Sequence, residues 1–189
     1  DNPANPINVT GADSGTATGI NGAGGFSNIG NITGNADTDD FSIASGATLS
    51  GDIDGAGGAN TLSQADDSNL FTVDTVNGGT ATDITGRFSN IESLVGGSGE
   101  DTFTLNGGTL TGSGDGGTGG TDTLNLDDNM AMVVVTGGDS GTATGLGTGF
   151  ANVGNINGGD GDDLFDLNGG TLSGAVNGGM GGNAITLND

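Results

Sequence analysis

Carboxylates are the abundant reactive groups in this chain, and they gather in glycine-rich turns. The stretch GGSGEDTFT at 96–104 sets Glu100 beside Asp101, and GGDGDDLFD at 158–166 brings Asp160, Asp162 and Asp163 together. Asp39 in GNADTDDFS and Asp122 in GGTGGTDTL stand in looser versions of the same pattern. Carboxylates clustered with turn carbonyls offer hard oxygen ligands, of which calcium takes about six to eight. The same residues also have a reading without metal. Asp and Asn suit tight turns because their side chains bond their own backbone, which would leave these acids as solvated corners.

Composition excludes most other chemistry. The 189 residues include no His, Cys, Lys, Trp or Tyr, and Arg87 stands alone against 24 acidic side chains. The usual bases and nucleophiles are therefore missing, and paired carboxylates would lack cationic helpers and sugar-stacking rings. The expectation is a protein that is not an enzyme. A net charge of −23 opposes nucleic acid and anionic membranes, which both need cationic patches. No apolar run approaches the roughly 20 residues of a membrane-spanning helix, so no membrane insertion is expected. Lack of cysteine removes disulfides and thiolate metal sites and fits a bacterial export route. The first ten residues, DNPANPINVT, lack a basic-then-apolar export signal, so any such signal has been removed or lies outside this stretch.

Leu, Ile, Val and Phe make up only about a fifth of the residues, close to the composition of disordered chains. Order in the sequence overturns that. FSNIGNI at Phe26, FSNIESL at Phe88 and FANVGNI at Phe150 recur at intervals of 62, as do Phe41, Phe103 and Phe165. GTATG, GTATD and GTATG begin at Gly15, Gly79 and Gly141, and the TLS or TLT turns lie near Leu49, Leu110 and Leu172. The chain reads as one structural body of three repeats, about 1–64, 65–126 and 127–189.

Glycine pairs at 96–97, 116–117, 137–138, 158–159 and 178–179 subdivide the repeats at spacings of 20 or 21. Between them lie short alternating runs such as TFTL, TLNL and LFDL, which read as strands bounded by turns. Helix is disfavoured because glycine costs roughly 1 kcal/mol per helical position relative to alanine. The expected fold is all-β: a parallel β-solenoid of about nine coils of 20–21 residues, about 43 Å long. Phe103, Leu105, Leu124, Leu126, Phe165 and Leu167 are expected to point inward, with Phe88, Ile91 and Leu94 on another wall.

The two segments GGSGEDTFT and GGDGDDLFD resemble the repeats-in-toxin (RTX) nonapeptide. The larger unit beginning FSNIESLVGGSGEDTFTLNGG resembles the tandem repeats of large bacterial surface adhesins of the haemagglutinin and autotransporter type. That likeness spans the whole chain and implies a secreted solenoid serving as a stalk or fibre on a bacterial cell surface. The nonapeptide likeness implies calcium held by Asp101 and Asp163 with the carbonyls of Gly96, Ser98, Gly158 and Asp160. The match is uneven. GNADTDDFS has Asp37 where a glycine belongs, GGTGGTDTL carries one extra residue before Asp122, and GGDSGTATG lacks the aspartate.

The partners expected are other copies of the chain stacked head to tail, or flanking repeats of a longer chain, together with divalent cations. Solenoid ends are open β-edges, and heterologous stacking through them makes filaments rather than closed oligomers. Asp1 aligns with Asp127 and the final TLND with NLDD at 125–128, so the chain starts and stops at one phase of its repeat. Pro3 and Pro6 would sit near such a junction and limit stray pairing. A calcium-dependent RTX-type adhesin module is the alternative. An ice-binding face built from the TAT triplets is a weaker one, because the triplet returns once per three coils, roughly 14 Å apart.

Overall fold

The computed structural model describes residues 5–20, 25–65, 68–167 and 169–187, and every regular element among them is a β-strand. The first repeat carries β1 (Asn5–Gly11), β2 (Ser14–Ala17), β3 (Phe26–Ser27), β4 (Ile32–Thr33), β5 (Asp39–Ile43), β6 (Ile53–Asp54) and β7 (Thr61–Gln64). The second carries β8 (Leu70–Thr75), β9 (Gly78–Ala81), β10 (Phe88–Ser89), β11 (Ser93–Gly97), β12 (Thr102–Leu105), β13 (Ser113–Gly117) and β14 (Thr123–Asn125). The third carries β15 (Met132–Gly137), β16 (Ser140–Ala143), β17 (Gly149–Ala151), β18 (Asn155–Asn157), β19 (Leu164–Leu167), β20 (Val176–Asn177) and β21 (Ala184–Leu187).

These strands form two mixed sheets. The twelve-stranded sheet has the order β21-β19-β15-β16-β17-β13-β11-β7-β5-β1-β2-β3, and the nine-stranded sheet β20-β18-β14-β12-β8-β9-β10-β6-β4. Each repeat opens with an antiparallel three-strand meander and then crosses between the sheets at every further strand. A meander and four single strands make five stations, an odd number. Successive repeats therefore start on opposite sheets: β1–β3 and β15–β17 on the larger, β8–β10 on the smaller.

Sequence equivalence thus becomes a half-turn combined with a climb. From β1 to β15 the larger sheet rises seven strands over two repeats, so one repeat climbs about 17 Å at the usual strand separation. The expected inward residues Phe103, Leu105, Leu124, Leu126, Phe165, Phe88, Ile91 and Leu94 are all buried, and Leu167 is partly buried against them. Their division between walls differs from the expectation. Phe103 lies on the smaller sheet and its counterparts Phe41 and Phe165 on the larger, because the repeat is odd.

The spacing also differs from a uniform coil. Phe41 pairs in parallel with Leu62, whereas Leu62 pairs with Leu94, half as far again along the chain. The longer interval is the one that accommodates a meander. Gly137 and Gly138 belong to such a meander, Gly137 pairing with Ser140 across a hairpin, so this glycine pair marks no coil corner. That is why GGDSGTATG carries no corner aspartate. The hairpin tips place Asp13, Asn77 and Asp139 at φ of 46°, 53° and 49°, a left-handed conformation that Asn and Asp tolerate. Their side chains accept the N–H groups of Ser50, Thr111 and Ser173, which accounts for the recurring TLS and TLT turns.

Alternation fills the interior. Strand β5 buries Asp39, Phe41 and Ile43 while Asp40 is exposed and Ser42 half-exposed. Where Phe71 on β8 and Phe103 on β12 stand in register, their rings stack with centroids 5.0 Å apart. Each fully buried side chain of this size contributes about 1.5–3 kcal/mol. One connected cluster of buried apolar residues draws on both sheets. Among the described residues the open edges are β3 and β4 at one end and β20 and β21 at the other. Pro6 lies inside β1, opposite Asp40, two strands in from the edge it was expected to guard, and Pro3 lies outside the described residues.

Candidate functional site

The glycine-rich corners are where chain leaves one sheet for the other, and aspartate or asparagine occupies the start of the next strand. Gly96 and Asp101 bracket one corner, Gly158 and Asp163 another, Gly34 and Asp39 a third. In each, the side chain folds back over the glycine, so that a Cβ on the glycine would overlap the carboxylate. The first glycine of the nonapeptide is therefore required by its own aspartate. Asp39, Asp101, Asp122 and Asp163 are buried, at 1–3% exposure, and so fall on the inside of the corner.

Their hydrogen bonds run along the stack. Asp101 Oδ1 accepts the Asn69 N–H at 2.8 Å and the Asn69 side-chain amide at 2.9 Å, from the strand next in the sheet. The Asp101 N–H in turn donates to Asp122 Oδ1 at 2.7 Å. Asp163 Oδ1 accepts from Ala131 at 2.8 Å, and the Asp163 N–H donates to Asn183 Oδ1 at 2.9 Å. In the first repeat the Asp39 N–H donates to Asn60 Oδ1 at 2.9 Å, and the Asn60 N–H to Glu92 Oε2 at 2.6 Å. Asp101, Asp122, Asp163 and Glu92 thus each cap an N–H at the strand start of a neighbouring rung, which would otherwise be a buried orphan donor. Asp39 Oδ2 instead accepts the Asn35 N–H of its own corner at 2.8 Å.

Asn60, Asn69, Asn183 and Glu92 were not among the expected site residues. A sequence signal does exist for two of them. Gly55 precedes Asn60 by five residues and Gly178 precedes Asn183 by five, the spacing of Gly96 to Asp101. The amide and the carboxylate perform one task here, acceptance at Oδ1.

Burial pushes the carboxyls of Asp101 and Asp122 above the usual range. For Asp101 desolvation outweighs the lowering effect of the bonds from Asn69. For Asp122 desolvation leads, the carboxylates of Asp101 and Asp115 add to it, and the N–H of Asp101 opposes it. At the surface the balance reverses: Asp54 is held below the usual range, chiefly by the side chain of Asn90 and then by the backbone of Ala56.

The expected ligands do not converge on one point. Glu100, Asp160 and Asp162 are exposed, while Asp39, Asp101, Asp122 and Asp163 face inward. Asp162 Oδ1 accepts the Gly182 N–H at 2.6 Å, a turn-to-turn bond of its own. Among the described residues no three acidic side chains are grouped as a cation would require. One oxygen on each of three corner acids, Asp39 Oδ1, Asp101 Oδ2 and Asp163 Oδ2, is buried without a hydrogen-bond partner.

No protein-family model, curated protein or solved structure matches this chain. Its function must be read from its own geometry. The TAT triplets bear on that directly. Thr16 and Thr142 are exposed on the larger sheet, seven strands apart, and Thr80 is exposed on the other sheet. They form no continuous threonine face.

Proposed function

We propose that this chain is a structural rod, a β-solenoid segment of a stalk or fibre displayed outside a bacterial cell. The observation that carries the reading is the half-turn relation between repeats. The same buried positions recur on alternate sheets, so one sequence unit can be added indefinitely while the interior stays closed. Strand stacks of this kind spread load over many backbone hydrogen bonds, and each unit is stabilised mainly by its neighbours. The excess of acid keeps separate rods apart in solution. The strand edges at both ends suit continuation, by flanking repeats or by other copies stacked head to tail.

The nonapeptide likeness supports the export and surface setting but not catalysis. Immunogold labelling of whole and thin-sectioned source cells tests the reading: the label is expected on surface-attached fibres or stalks. Label confined to the cell interior would refute it.

A calcium-dependent adhesin module is a second reading, favoured by the partnerless buried oxygens of Asp39, Asp101 and Asp163. The corners that use Asn60 and Asn183 in the aspartate position support the plain hydrogen-bonding role instead. The response of the melting temperature to a chelator separates the two.

A further inference from the structure

The exposed apolar residues at the two ends occupy positions that are fully covered in the middle of the stack. Ile29 is 45% exposed, while its repeat counterparts Ile91 and Val153 are 0% and 1% exposed. Ile185 is 54% exposed, against 0% and 1% for Leu62 and Leu124. Leu187 is 70% exposed where Leu126 is 7%. Among the described residues, each end therefore presents side chains that the middle of the stack covers.

The neighbour's seating can be read from the two junctions inside the chain. At both, the last strand of a meander pairs in parallel with a strand of the preceding repeat: Phe88 with Ile53, and Phe150 with Gly114. At both, the following strand pairs on the opposite sheet: Leu94 with Leu62, and Ile156 with Leu124. Side chains repeat the pattern, since Asn90 donates to Asp54 and Asn152 to Asp115, each at 2.7 Å. The outer edges carry the matching strands. Among the described residues, β3 and β4 are unpaired on one side at one end, and β20 and β21 at the other.

We infer that a second copy of this chain docks head to tail after a half-turn, its β3 and β4 pairing in parallel with β20 and β21. Phe26 then stands opposite Val176, Ile32 opposite Ile185, and Asn28 beside Asn177. The twelve-stranded sheet of one copy continues the nine-stranded sheet of the next. An open apolar depression of about 450 Å³, lined in part by Ile7, Phe26, Ile29 and Ile32, lies at the β3–β4 end. The side chains of Val176 and Ile185 enter it. The inference rests on the rod reading and adds to it the partner, the register and the rotation.

Two double-cysteine variants test it in a chain that has no native cysteine. Ser27, Asn177 and Thr186 are all exposed, and of the three only Asn177 gives up a hydrogen bond recorded for its side chain, the exposed turn bond from the Gly179 N–H. Ser27→Cys with Asn177→Cys joins residues that face each other after the half-turn. Ser27→Cys with Thr186→Cys joins those that would meet if like sheets stacked on like. Under mild oxidation the first is expected to give a ladder of linked dimers, trimers and higher species, and the second only monomers. A ladder from the second variant, alone or together with the first, overturns the half-turn register and leaves head-to-tail stacking in place. No ladder from either, with the unmodified chain sedimenting as a monomer at high micromolar concentration, overturns docking between copies. The surface-labelling result decides the rod reading independently of these outcomes.

Discussion

The N–H of Asp101 donates to the carboxylate of Asp122, 2.7 Å away and just ahead of the neighbouring strand, so two buried acids stand one rung apart. Burial raises both carboxyls above the ordinary value, and Asp101 also raises Asp122. An acid raised in this way binds its proton more tightly in the folded chain than in the unfolded one. Its contribution is fully present below the unfolded value of about 3.9 and is lost as pH rises through the higher folded value. Stability should therefore grow as pH falls from 7.5 towards the upper edge of the carboxylate range. The easing of a −23 net charge acts in the same direction. Asp54, held low, acts oppositely, but only below the ordinary range. Thermal melts from pH 7.5 to 4.5 should rise by a few degrees. A flat or falling profile would count against these buried acids.

Asp101→Asn isolates that effect. The amide keeps an acceptor at Oδ1, as Asn60 and Asn183 do in the equivalent corners. The variant should melt no lower than the parent at pH 7.5 and should show a shallower pH dependence. A loss of several degrees at pH 7.5 would mean that the charge itself is needed.

Gly158→Ala tests why the nonapeptide begins with glycine. A Cβ there would overlap the Asp163 carboxylate, and overpacking of this kind costs about 1–3 kcal/mol. Asp163→Ala removes the acceptor of the Ala131 N–H, at a similar cost of about 1–3 kcal/mol. The double variant should lose less than the two singles combined, because the closest overlap, with the Asp163 carboxylate, is then gone and only the tighter-than-usual approach to the Gly178 carbonyl remains. Strict additivity in denaturant melts would show that glycine and aspartate do not share the site.

Chelation bears on the calcium reading. If corner acids act through hydrogen bonds alone, exhaustive dialysis against EDTA leaves the melting temperature unchanged, and calcium added back does nothing. A melt that drops in EDTA and recovers with calcium but not sodium would assign a cation to the partnerless oxygens of Asp39, Asp101 and Asp163.

Much of this architecture is legible in the sequence. Phenylalanines recurring at one fixed interval announce a repeat, and the alternation in TFTL and LFDL announces strands with one face inward. The meanders are less visible. VNGGT at 76–80 carries an Asn-Gly hairpin signal, but GADSG and GGDSG disguise the same turn, and Gly137–Gly138 falls in step with true corner pairs. Which sheet a repeat occupies depends on counting stations, and that count requires the meanders. The acid positions can be read from the glycine pattern, but not their orientation. A turn acid and a strand-start acid look alike in sequence, whereas burial separates exposed Glu100 from buried Asp101, its immediate neighbour.

The alternation of repeats between two sheets, with a meander inserted at each switch, is tested most directly by cross-linking within a single chain. Ser63 on β7 stands in register with Val95 on β11, with the whole β8–β10 meander lying between them in the chain. A uniform coil of about 20 residues would instead set Ser63 against Asp83. Oxidation of the Ser63→Cys, Val95→Cys variant should close an intramolecular disulfide and raise the melting temperature, while Ser63→Cys with Asp83→Cys should stay reduced. Efficient closure of the second pair and none of the first would contradict the two-sheet stack.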